Sequence, residues 1–111
     1  MIGTFKVAHL LGITRDHEKE FRNVERILTK NGFICFAPVI YNYDEYMMHQ
    51  SMIDDMCYAK LRVSDLCVIV TPDHIGQSTT RRIWQAESLG IPVFVWKNGV
   101  LEEYREDNSN G

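Results

Sequence analysis

The sequence lacks any hydrophobic run long enough to cross a membrane, because its longest apolar stretches have only the length of a β-strand. It contains three cysteines, and they are unclustered, so a disulfide scaffold is not expected and the thiols are typical of a reducing cytoplasm. No histidine and cysteine have the spacing of zinc ligands, so we expect no metal site. The N-terminal residues also lack a basic segment followed by an apolar one, so no secretory signal is expected.

Basic residues are not in excess either. The net charge of −3 gives no support for a nucleic-acid partner bound mainly through its phosphates. The composition is otherwise that of a soluble globular protein, with 45% hydrophobic and 24% charged residues among 111. A chain of this length forms one domain. We place that domain at residues 1–100 and a polar C-terminal tail at residues 101–111.

Four apolar segments of strand length are spread along the chain. They are residues 5–11, 33–37, 66–70 and 92–96. These segments are apolar throughout rather than alternating, which is typical of strands in a parallel sheet that is covered on both faces. The pair Asn98-Gly99 after the fourth segment is a turn signal.

Helical periodicity fills the intervals between the strands. Residues 16–32 and 78–90 have helix-like patterns, the second with Ser78 as N-cap. Residues 41–46 are interpreted as a loop, after which a helix is predicted from about residue 51. Its apolar positions are Met52, Met56, Ala59 and Val63. The alternation predicts an α/β fold in three layers, with a Rossmann-like or flavodoxin-like parallel sheet between helices.

In such a sheet, ligands bind outside the carboxyl ends of the strands. The first strand is followed by Gly12, Ile13 and Thr14, the second by Tyr41 and the third by Asp73. Gly12 either allows close approach of a ligand or forms a plain turn. The tyrosine-rich segment around Tyr41 either stacks on a base or forms an oligomer contact or a lid.

The start of the third helix is the most informative local feature. Gly76, Ser78 and Thr79 precede Arg81 and Arg82, which we place in the first helical turn, where acidic residues are normally preferred. Helix N–H groups, hydroxyls and guanidiniums together would bind a phosphate or carboxylate. Alternatively, both arginines point to solvent or pair with an acid such as the aspartate of the preceding loop.

Several known phosphate-site motifs are missing. The chain has neither GxGxxG nor GxxxxGK[ST], which excludes the usual dinucleotide fingerprint and the P-loop. Leu11-Gly12 stands where a receiver domain would carry an acidic pair. Asp54-Asp55 is interpreted as the opening of a helix, where carboxylates suit the helix dipole, with catalysis as the alternative.

Six segments and Ala86 together resemble the nucleoside 2-deoxyribosyltransferase-like superfamily, in particular its small phage and bacterial members. The segments are residues 7–14, 31–38, 54–60, 64–70, 76–79 and 90–93. The likeness extends over nearly the whole chain, to about Trp96. It implies a Rossmann-like fold, a homo-oligomer and a pocket for nucleosides or nucleotides at the strand ends.

In active members of that superfamily, a glutamate in the helix after the Gly-Ser or Gly-Thr motif attacks the anomeric carbon of the sugar. The matching position here is Arg82, and arginine serves neither as that nucleophile nor as a base. Glu87, five residues further on, points roughly 140° away around the helix.

Three hypotheses follow. The first is a nucleotide- or nucleoside-binding protein without a cofactor, in which Arg82 binds the phosphate. The second is an enzyme acting on an N-glycosidic bond, a deoxyribosyltransferase or a nucleotide hydrolase, that uses Asp73, Asp55 or Glu87. The third is a protein-interaction module whose pocket is vestigial.

Overall fold

The computed structural model describes residues 1–39 and 43–105, in which strands and helices alternate along the chain. The elements are β1 (Lys6–Leu11), α1 (Glu18–Lys30), β2 (Phe33–Phe36), α2 (Tyr43–Arg62), β3 (Leu66–Ile69), α3 (Gln77–Ser88), β4 (Val93–Lys97) and β5 (Val100–Glu103). None of the helices within these ranges combines the length and the apolar character needed to cross a membrane.

The strands form one sheet in the order β2-β1-β3-β4-β5. The first four are parallel to one another, and β5 is antiparallel to β4. Helix α1 covers one face, while α2 and α3 cover the other. The predicted three-layer, Rossmann-like α/β fold is therefore confirmed.

Side chains of the central strands divide between two cores, because successive residues of a strand point to opposite faces. Ala8 and Leu10 of β1 belong to the core on the α1 side, and Leu11 belongs to the core under α2 and α3. The helical members of the first core are Phe21, Val24 and Leu28. Those of the second are Leu61, Ile83 and Ala86. His9 shares the β1 face of Leu11, so it lies under α2 and α3.

Helix α2 differs from the prediction in its start and in its buried face. It begins at Tyr43, so the loop interpretation is wrong from that residue onward, and its backbone kinks at His49 (φ −121°, ψ 16°). The predicted apolar stripe points outward, with Met52, Met56 and Val63 each about half exposed (55%, 53% and 51%). Leu61 is buried instead. Because α2 is apolar on two sides, its periodicity did not determine which side faces the sheet.

The sequence analysis did not predict β5, which lies where a polar tail was expected. Asn98 and Gly99 both have positive φ (51° and 80°), as a tight two-residue hairpin requires. The hairpin pairs Lys97 with Val100 and continues to Phe94 opposite Glu103. The sheet therefore extends beyond the expected domain boundary at residue 100.

Candidate functional site

A large cavity opens where the strand order reverses between β1 and β3, the usual ligand position in an open α/β sheet. Its volume is about 1420 Å³, and it is lined by the end of β1, the loop after it, and helices α1, α2 and α3. Small-molecule sites usually measure roughly 300–1,000 Å³. The cavity is therefore large enough for a nucleotide-sized ligand.

Gly12, the first residue after β1, brings two loops together at this edge. Its φ of +139° is in the region that favours glycine, and a Cβ atom there would overlap the Thr71 side chain. The Thr71 hydroxyl oxygen accepts a hydrogen bond from the Ile13 N–H at 2.9 Å. Gly12 therefore forms a tight turn against the loop after β3, and because it also lines the cavity, its predicted role in ligand approach stays a prediction.

The start of α3 lies earlier than predicted. Gly76 is the N-cap and Gln77 the first helical residue, so Ser78 is inside the helix and does not cap it. Arg81 and Arg82 consequently fall in the second turn rather than the first. The Thr80 hydroxyl donates to the Gly76 carbonyl oxygen at 3.0 Å. The predicted conflict between these arginines and the helix dipole does not arise, since the dipole acts mainly within the first turn.

Arg82 is one of the few buried charged residues among those described, with 6% of its surface exposed. Its Nη2 donates to Asp54 Oδ1 at 2.8 Å, and its Nη1 donates to Gln85 Oε1 at 3.0 Å. Half-exposed Arg81 reaches the other oxygen of the same carboxylate at 3.4 Å. The acid that pairs with the arginines is therefore Asp54 of α2, not Asp73. A buried guanidinium requires such acceptors to offset its desolvation.

Asp54 and Asp55 lie in the middle of α2, so the prediction that they open a helix is wrong. Asp54 is half-buried and faces α3, while Asp55 is exposed. Adjacent helical residues are rotated by about 100°, which explains why only one of the two carboxylates reaches the arginines.

Charges in the cavity lining are segregated. On the helix side, Lys60 and Arg82 line the cavity together with the single negative charge of Asp54, and Arg81, outside the lining, pairs with the same carboxylate. Within residues 1–39 and 43–105, Lys60 forms no ion pair. On the side of the first loop and the start of α1, acids are in excess: Asp16, Glu18 and Glu20 accompany Arg15 and Lys19. The helix side is therefore suited to an anionic group.

His9 lies at the bottom of this arrangement. It is 5% exposed and lines the cavity, and its ring packs edge-on against Phe36. Burial, together with the smaller effects of the Lys60 and Arg82 charges, lowers the pKa of His9 from 6.5 to about 4. The imidazole is therefore neutral at pH 7. Its Nδ1 atom is buried and has no hydrogen-bond partner among the described residues.

The structure brings together half of the binding residues that the sequence predicted. Those lining the cavity are Gly12, Thr14, Ser78, Thr79 and Arg82. Those outside the lining are Ile13, Asp73, Gly76 and Arg81. Tyr41 lies outside the described residues. The three catalytic candidates are exposed and do not line the cavity: Asp73, Asp55 and Glu87.

Among the lining residues that were not predicted as binding residues are His9, Asp54 and Lys60. His9 had a signal, since it is the single polar residue in the strand segment Val7–Leu11. Asp54 was interpreted with Asp55 as the opening of a helix, and Lys60 had no signal, because the buried face of α2 was assigned incorrectly. No group of three potential metal ligands occurs among the described side chains.

Comparisons with models of protein families, with curated proteins and with solved structures found no match. The likeness to the deoxyribosyltransferase superfamily therefore stays a prediction from the sequence. Function is therefore inferred from the fold and from the geometry of the cavity.

Proposed function

We propose that this protein binds a nucleotide, or a related phosphate-bearing small molecule, in the cavity beside Arg82 and does not cleave it. The observation that carries the proposal is the buried guanidinium of Arg82, which lines the cavity and is held in place by Asp54 and Gln85. This residue occupies the position of the nucleophilic glutamate in the superfamily that the sequence resembles. A guanidinium cannot form a glycosyl ester, whereas it binds phosphate well.

Donors for a phosphate are available around Arg82. A guanidinium has five N–H donors, and the two side-chain hydrogen bonds to Asp54 and Gln85 use two of them. Ser78 and Thr79, which each carry a hydroxyl group, also line the cavity. Both lie in the first turn of α3, where free backbone N–H groups also favour anions.

The remaining lining has an apolar part that suits a base or another flat ring. It includes Pro38, Val39, Tyr46, Ile53 and Met56. Tyr46 is half-buried and offers an aromatic face inside the lining, in the role predicted for the tyrosine-rich segment around Tyr41 to which it belongs. The cavity thus combines a cationic side for phosphate with an apolar side for stacking.

Isothermal titration calorimetry with a panel of nucleoside 5′-monophosphates tests this proposal. Replacing Arg82 alone would leave Asp54 as a partly buried, poorly paired charge, so the informative variant is the double change Arg82→Gln with Asp54→Asn, which preserves a neutral hydrogen-bonding pair. We expect it to lose binding. The control Arg62→Gln removes an exposed positive charge of α2 outside the cavity lining and should retain the wild-type affinity. Equal affinity in wild type and the double variant would contradict the proposal.

The rate at which Cys57 is alkylated is an independent measure of where the ligand binds, because Cys57 lines the cavity. Burial raises the pKa of Cys67 to about 12 and also raises the pKa of Cys35, so both thiols react slowly with alkylating reagents. We expect a bound nucleotide to slow alkylation of Cys57, measured by peptide mass spectrometry. Unchanged labelling at a saturating nucleotide concentration would place the ligand elsewhere.

A second candidate function is cleavage of an N-glycosidic bond, as in a deoxyribosyltransferase or nucleotide hydrolase. It is favoured by one observation: the Asp54 carboxylate lines the cavity, although the three acids proposed from the sequence do not. Incubation with nucleosides and nucleotides followed by chromatography separates the candidates. Released base that disappears in Asp54→Asn supports the enzyme, and intact substrates support the binding protein.

An interaction module with a vestigial pocket is less well supported, because it calls for a closed or apolar crevice and this cavity is open and charged.

The homo-oligomer and the cytoplasmic location stay predictions. Light scattering on the purified chain tests the first of these, and the half-exposed methionines of α2 are the first positions at which to look for a contact.

A further inference from the structure

Lys60 supplies a second positive charge to the cavity that holds Arg82. It is half-buried and lines the cavity, and both cations influence the same imidazole, that of His9. The three side chains therefore share the space between the sheet and helices α2 and α3. Lys60 has no acidic partner among the described residues, whereas Arg82 has one, Asp54, which it shares with Arg81.

The charge count on this side is unbalanced by two. Lys60 and Arg82 line the cavity, and Arg81 shares the only acid, Asp54, with Arg82 from outside the lining. The two cations of the lining are therefore left without a full counter-charge, and partial burial makes unpaired charge costly. A ligand with two negative charges on one group would neutralise this side completely. A singly charged ligand would leave one positive charge without a counter-charge.

His9 adds a second, independent sign of a ligand. Its Nδ1 atom is buried without a partner in the described parts of the chain, and buried polar atoms are normally paired with protein, water or ligand. Because the imidazole is neutral, it offers one donor and one acceptor nitrogen. A ligand oxygen, or a water molecule held by it, would complete this hydrogen bonding without adding a third full charge.

We propose that Lys60, Arg82 and His9 select a dianionic phosphate monoester over a singly charged phosphodiester and over an uncharged nucleoside. This inference rests on the nucleotide-binding function proposed above and names its ligand more narrowly, as a molecule with a terminal phosphate group.

Titrations at pH 7.5 with three forms of the same nucleoside test the selection. Adenosine, adenosine 5′-monophosphate and adenosine 3′,5′-cyclic monophosphate differ in charge, and the guanosine, cytidine and uridine sets repeat the comparison. We expect the monoester to bind at least about tenfold more tightly than the cyclic diester, a difference of about 1.4 kcal/mol. Inorganic phosphate and ribose 5-phosphate are titrated in the same way. If both bind more weakly than the nucleoside monophosphate, the ligand that supplies the phosphate group is a nucleotide.

Lys60→Met retains most of the apolar stem and removes the charge, so it should reduce the preference for the monoester to less than about threefold, below 0.7 kcal/mol. Lys60→Arg should restore the preference. Lys30→Met is the matched control, since Lys30 is an exposed cation outside the cavity lining, and it should keep the wild-type preference. Thermal unfolding followed by circular dichroism confirms that each variant is folded.

The outcomes separate this inference from the function on which it rests. Equal affinities for monoester and diester, both lost in the Arg82→Gln, Asp54→Asn variant, would overturn the selection and leave nucleotide binding intact. An unaltered preference in folded Lys60→Met would overturn the role of Lys60. Binding of inorganic phosphate or ribose 5-phosphate as tightly as any nucleotide would support the dianion site and overturn the nucleotide as its ligand. Failure of every compound to bind would overturn both proposals.

Discussion

Acidification should destabilise this protein through His9, well above the pH at which carboxylates are protonated. Burial, together with the nearby charges of Lys60 and Arg82, lowers the pKa of His9 from 6.5 to about 4 in the folded protein. Between these two pH values, the unfolded chain binds a proton at His9 and the folded protein does not. Protons therefore favour unfolding in this window, and the free energy of unfolding decreases as the pH falls from about 6.5 towards 4.

The size of the effect follows from the two pKa values. A shift from 6.5 to about 4 in a nearly fully buried group corresponds to a loss of about 2 kcal/mol in the free energy of unfolding between pH 7 and pH 5. Total stabilities of small domains are roughly 5–15 kcal/mol. The loss should therefore be plainly visible as a lower urea midpoint.

Urea unfolding followed by circular dichroism at pH 7, 6 and 5 measures this loss, and His9→Leu is the control. Leucine is close to histidine in size and suits an apolar strand, so the variant should show a much smaller change with pH. Asp65 does not interfere, because the hydrogen bond from the Val7 N–H lowers its pKa below 3.8, and its contribution is lost only at lower pH. The same pH dependence in wild type and His9→Leu would refute the assignment to His9.

Two further predictions concern the packing around the cavity. Gly12→Ala should lower the free energy of unfolding by about 2 kcal/mol or more, because residue 12 has a positive φ and an added Cβ would overlap Thr71. The control Gly76→Ala has open space around the added Cβ and should lower it by about 0.5 kcal/mol. Similar urea midpoints for the two variants would contradict the close approach of Gly12 to Thr71. Arg82→Gln should cost about 2 kcal/mol by leaving Asp54 poorly paired, and adding Asp54→Asn should recover part of that loss. No recovery in a double-mutant cycle would show that the ion pair is not the cause.

The sheet was predictable from the sequence because its signal is local. Each parallel strand is a short apolar run that ends at a glycine, proline or polar residue, and covering both faces of a sheet requires such a run. The same reasoning located the cavity, since parallel strands present their carboxyl ends at one edge. Gly12 and Arg82 were identified as site residues on these grounds, and both line the cavity.

The strand β5 and the buried side of α2 were not predictable in this way. The Asn98-Gly99 pair indicated a turn, but the following residues are too polar to resemble a strand, and β5 is held by pairing with β4 at the edge of the sheet. In α2, the apolar residues on both sides give no single periodic face. Packing against the sheet and α3 decided which side is buried.

The amino-acid sequence by itself determined the α/β class, the parallel core and the edge of the sheet at which a ligand would bind, because all three follow from hydrophobic patterns within single segments. Only the tertiary structure decided the chemistry of the cavity. Arg82 and Asp54 are 28 residues apart on different helices, and His9 acquires its low pKa from burial and from the charges of Lys60 and Arg82. Charge pairing and desolvation depend on which distant segments pack together, and no local pattern in the chain records that choice.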